Sequence, residues 1–92
     1  MSRHIIDTPK WPAEFKLTLG WDEGLQTYFA QVDDRKTEDS LVWIGTIDVI
    51  ESVVDLEQRL NAELPVSLPS IHFDTETIQQ LESDRMTEAG EP

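Results

Sequence analysis

The hydrophobic period of this chain changes once, dividing it into a sheet-forming half and a helix-forming half. Phe15, Leu17, Leu19 and Trp21 alternate with Lys16, Thr18 and Gly20, and a period of two marks a half-buried strand. Asp22-Glu23-Gly24 then supplies a short acidic turn with a glycine able to take positive φ. Gln26 to Val32 is a second β-prone run, so the two segments read as a hairpin. In that second strand Tyr28, Ala30 and Val32 share one face and Leu25, Thr27, Phe29 and Gln31 the other; either can be the core side. Asp33 to Ser40 has no apolar residue and reads as an exposed loop, followed by a compact apolar strand from Leu41 to Thr46.

Beyond Thr46 the spacing is helical. Val53, Leu56, Leu60 and Leu64 recur at three, four and four residues, one face of an amphipathic helix. Ser52 with Asp55 resembles a capping box, and Pro65 stops the helix. Pro65 to Ile71 reads as an extended crossover. A second helix is expected from Asp74 as N-cap, with Phe73 and Ile78 as a hydrophobic staple, Leu81 on its apolar face and an end near Met86. The pattern therefore predicts an α+β fold, a three-stranded antiparallel sheet followed by two α-helices packed on one face (βββαα). Residues 1–13 are expected as an N-terminal arm, 14–86 as a single α+β domain and 87–92 as a disordered tail.

A chain of 92 residues has room for one small core. It has no cysteine, which removes disulfides, thiolate zinc sites and thiol nucleophiles. The first residues, with Asp7 and two prolines by position 12, lack the apolar stretch of a signal peptide, so a cytoplasmic location is expected. Nineteen Asp and Glu stand against seven Lys and Arg, a formal net charge of −12. That charge repels nucleic acid and anionic lipid, and it favours basic protein or nucleoprotein surfaces as partners.

The charge is uneven: residues 48–92 hold eleven acids and two bases, whereas residues 1–13 are net positive. The histidines are His4, in the arm, and His72, in the connector, so no metal site is expected. The Asp33 to Asp39 loop lacks the alternating acids, central glycine and final glutamate of a calcium loop. No nucleophile elbow, phosphate loop or zinc-protease motif is present, so neither catalysis nor a cofactor is expected. Trp21 and Trp43 read as core or cross-strand residues, and Trp11 as a core cap or a contact anchor. Aromatic side chains on an uncovered sheet face would offer a binding or dimer surface.

Glu51, Asp55 and Glu63 follow an i, i+4 row with Glu57 nearby, and Glu76, Glu82, Asp84 and Glu88 extend the charge along the second helix. Carboxylates four residues apart on a helix lie about 6 Å apart along the axis, near the spacing of successive phosphates. Arg59 occupies the remaining position of the row and can pair with Asp55 or Glu63, as on a solvated helix face. The candidate partner-binding residues are Glu51, Asp55, Glu57 and Glu63, with Asp33, Asp34, Glu38 and Asp39 of the loop.

A small, cysteine-free, strongly acidic α+β chain without catalytic motifs resembles the anti-CRISPR proteins and DNA-mimic inhibitors of phages and mobile elements. The resemblance covers size, charge and architecture, and no motif is shared. It implies a non-enzymatic inhibitor that occupies a basic nucleic-acid-binding surface of a CRISPR effector or similar nucleoprotein and blocks DNA binding. The alternative is a small acidic adaptor or accessory domain, homodimeric through its Trp-bearing sheet.

Overall fold

A computed structural model describes residues 3–45 and 48–89, with side-chain surroundings through Met86. Its elements are β1 (His4–Ile6), β2 (Phe15–Asp22), β3 (Thr27–Asp34), β4 (Asp39–Ile44), α1 (Val53–Glu63) and α2 (Thr75–Ala89). The strands form one antiparallel sheet in the order β1-β2-β3-β4. The α+β class and the two helices agree with the sequence pattern, but the sheet has four strands where three were expected. The additional strand comes from the arm: His4, Ile5 and Ile6 pair with Leu19, Thr18 and Leu17. Three residues are too few for a period of two to register, and β1 exists because β2 offers it an unpaired edge.

Register decides which face is covered. Leu17 lies opposite Val32, Leu19 opposite Ala30 and Trp21 opposite Tyr28; Val42 and Ile44 continue the same face on β4. These side chains and Ile50, Val53, Leu56, Leu60, Leu68, Phe73 and Leu81 form one core. Each fully buried leucine contributes about 1.5–3 kcal/mol relative to exposure. The α1 helix packs on β3 and β4, and α2 packs on β2, so both helices lie on that face.

The caps follow the sequence. The Ser52 hydroxyl accepts from the Asp55 amide at 3.1 Å, and the Asp74 carboxylate accepts from the Thr77 amide at 2.7 Å. The same Thr77 bond holds the Asp74 carboxyl below its ordinary range. Leu64 leaves the helical region at ψ 141°, directly before Pro65. The α2 helix runs to Ala89, past the expected end at Met86; residues 90–92 of the expected tail, and Thr46 at the end of the expected third strand, lie outside the described residues. In the β2–β3 turn the left-handed conformation falls at Gln26, at φ 54°, and not at Gly24, the glycine able to take it. Its side-chain amide donates to the Glu23 carbonyl at 2.8 Å, which ties that conformation to the turn.

The connector between the helices is strapped down from both sides. Asn61 accepts from the Ile71 amide at 2.8 Å and donates to the Ile71 carbonyl at 2.9 Å. One turn earlier, Glu57 accepts from the Phe73 amide at 2.7 Å. From the arm, the Trp11 indole donates to the Pro69 carbonyl at 2.9 Å, making Trp11 a cap on the core. His4 of β1 meets Asp84 of α2 at 2.5 Å, so the arm is tied at two points and His4 is fixed in the sheet.

Candidate partner-binding surface

The eight candidate carboxylates divide by what they already hold. Asp33 accepts from Gln31 and Ser40, each at 2.8 Å, and fastens the start of β4 to β3. Asp34 accepts from the Lys36 amide at 2.8 Å, a local turn that shapes the loop. Asp55 pairs with Arg59 at 3.4 Å, and Glu57 is committed to the Phe73 amide. Glu38, Asp39, Glu51 and Glu63 are exposed, and no side-chain bond or ion pair occupies their carboxylates among the described residues. Glu51 lies ahead of the Ser52 cap and is off the helix, so the i, i+4 row on α1 is Asp55, Arg59 and Glu63. Of the four acids expected in a loop, Asp33 and Asp34 end β3 and Asp39 opens β4, because the strands pair further than the polar run suggests, and Glu38 alone lies in the turn. Asp55, Glu57 and Glu63 lie along α1, and no one cluster contains all eight.

The two arginines of the helical half are both engaged. Arg59 lies between Asp55 and Asp48, 3.3 Å from the latter, a carboxylate that the row pattern did not single out. Arg85 lies over Trp21 and Tyr28, its guanidinium carbon 5.1 Å and 5.8 Å from the ring centroids, and donates to the Glu51 carbonyl. Such stacking spreads the cation over a buried aromatic pair. The exposed Glu51, Glu63, Glu76 and Glu82 have no cationic partner among the described residues. The acidity of the helical layer thus stays open to solvent.

Tyr28 is buried beneath Arg85, and burial pushes its hydroxyl pKa up, opposed by a hydrogen bond and charge from Arg85. Because the folded value lies above the unfolded one of 10.0, stability is full below about pH 10 and falls as pH rises toward the folded value. Tyr28→Phe is expected to flatten this alkaline limb, as read by urea midpoints between pH 9 and about pH 11.5. An unchanged slope would remove Tyr28 as its source.

The other sheet face is exposed toward its two edge strands, although Thr18 within it is buried. Ile5, Thr18, Gln31 and Trp43 form a row across all four strands. Ile5 is 67% exposed, Trp43 50% and neighbouring Leu41 45%. The core positions of β4 are Val42 and Ile44, so strand alternation turns Trp43 outward, away from the core role it could have had. Phe29 also lies on this face but is buried, with Arg3 over its ring at 5.7 Å. Tyr28, by contrast, faces the helices.

A groove of about 340 Å³ runs between β4 and α1, lined by Trp43, Ile44, Gly45, Asp48, Arg59, Ala62 and Glu63. Among the described residues no group of three His, Asp or Glu side chains could hold a metal ion, and no helix is long and apolar enough to cross a membrane. No family model matches the chain, and neither a curated protein nor a solved structure proved similar to it.

Proposed function

We propose that this chain is a non-enzymatic binding protein whose acidic helical layer occupies a basic nucleic-acid-binding surface of a nucleoprotein complex and blocks DNA binding, in the manner of anti-CRISPR and DNA-mimic inhibitors. The observation that carries the reading is the fate of the two helical-half arginines. With Arg59 held by Asp48 and Asp55, and Arg85 held over Trp21 and Tyr28, the exposed Glu51, Glu63, Glu76 and Glu82 present uncompensated charge. Uncompensated surface charge of one sign steers association with a surface of the other and is screened by salt.

The test begins with capture from nuclease-treated lysate at low and high salt, followed by displacement with added DNA. Against the partner so identified, the combined Glu51→Gln, Glu63→Gln, Glu76→Gln and Glu82→Gln variant is expected to associate about tenfold more slowly at low salt and nearly as fast at high salt. All four side chains are exposed, so the fold should be retained. Association at the wild-type rate in low salt would refute the electrostatic account. A second reading, an acidic adaptor joined through its sheet, draws on the exposed Trp43 and Leu41; it expects binding that is indifferent to salt and lost on Trp43→Ala.

A further inference from the structure

The two edges of the sheet are unequal. The β1 edge is three residues long, and His4 is tied to Asp84 across it. The β4 edge, Asp39–Ile44, is twice that length; its ladder to β3 shifts register at Leu41, leaving Val42–Ile44 as the regular stretch, and it contains no proline, lysine or arginine, residues that keep an edge from pairing. Among the described residues no backbone hydrogen bond reaches its outer side. Tyr28, Ala30 and Val32 turn their backbone groups toward β4, as the Tyr28 amide bond to Ile50 fixes. Their partners Val42 and Ile44 therefore bond inward, and Trp43 directs its N–H and C=O outward beside its exposed indole.

We infer that the outer side of β4 is a strand-addition site for an extended basic segment of a partner protein, one in which lysine or arginine alternates with apolar residues. The floor of the adjoining groove is apolar, with Trp43, Ile44 and Ala62. Its rim carries Asp48 and Glu63, with Arg59 between two carboxylates; outside the groove, exposed Glu38 precedes β4 and exposed Asp39 is its first residue. An added strand places alternate side chains on opposite faces, so main-chain bonds supply affinity while apolar and basic positions read floor and rim. A second copy of this chain fits less well, because it would bring −12 against −12. The site deepens the proposed function and rests on it for the basic character of the occupant.

The probe is a nine-residue peptide of alternating lysine and valine, compared with the same sequence N-methylated at alternate residues along one edge in each of the two phases, which preserves charge and side chains but removes main-chain donors. Binding is read by hydrogen exchange at the Trp43 amide and by the emission of the exposed Trp43 indole. The unmethylated peptide is expected to protect the Trp43 amide and to bind at least about tenfold more tightly than one of the methylated forms. Trp43→Ala should weaken it, while the combined glutamine variant at Glu51, Glu76 and Glu82 should leave the tenfold preference in place. Equal binding of all peptides, abolished by that glutamine variant, would overturn the strand-addition site and leave the acidic-layer reading standing. Absence of binding by any of them at low salt would overturn both.

Discussion

Gly45→Ala is expected to destabilise the fold by about 2–4 kcal/mol, out of proportion to the methyl group it adds. Gly45 sits where β4 leaves the sheet, at φ 91°, a conformation that residues with a Cβ rarely adopt. Space is lacking as well: a Cβ there would collide with the Tyr28 carbonyl oxygen and lie 3.0 Å from Phe29 Cα and 3.2 Å from Phe29 Cβ. The obstructing atoms are largely backbone of β3, which cannot yield without disturbing the ladder. Ile50 then returns to the sheet, its carbonyl accepting from the Tyr28 amide at 3.0 Å and its amide donating to the Thr27 hydroxyl at 2.6 Å. Urea unfolding followed by far-UV circular dichroism measures the loss. A change below about 0.5 kcal/mol would mean that the strand end can relax around the added carbon.

Trp21→Ala should cost more, about 3–5 kcal/mol, which approaches the whole stability of many small domains. Trp21 is 1% exposed and meets Tyr28 edge to face, ring centroids 5.0 Å apart. Its ring also carries the Arg85 guanidinium. Removing it opens a cavity beneath α2 and takes away one of the two rings under Arg85, which keeps Tyr28 and the Glu51 carbonyl. Trp21→Phe keeps most of the volume and is expected to lose less than half as much. Guanidinium denaturation of both variants separates the two cases, and equal losses would show that the indole is held for something other than its bulk.

The elements with several turns or several alternations could be read from the chain itself. The β2 pattern, the three-four-four spacing of α1, and the Ser52 and Asp74 caps are local signals, and local physics suffices for them. What was illegible depends on partners distant in sequence. β1 is a strand only because β2 lies beside it, and Gln26 is left-handed because its turn closes there. Among the carboxylates, charge density could be counted but occupation could not. Nothing in the residues around Glu57 announces that it will hold the Phe73 amide, sixteen positions away. Asp48 was passed over because it lies off the helical row, yet it shares Arg59 with Asp55. The outward turn of Trp43 was implicit in strand alternation, but choosing the covered face of β3 required knowing where the helices pack.

The contact between His4 and Asp84 joins residues 80 positions apart, and Trp11 reaches 58 positions to Pro69. Closing loops of that length carries an entropic cost that the β2–β3 hairpin does not meet. In a growing polypeptide the hairpin can zip as soon as both strands have left the ribosome, whereas β1 must wait until α2 has been synthesised to gain its hydrogen bond with Asp84. β1 can thus pair with β2 early, while its anchor on α2 comes late.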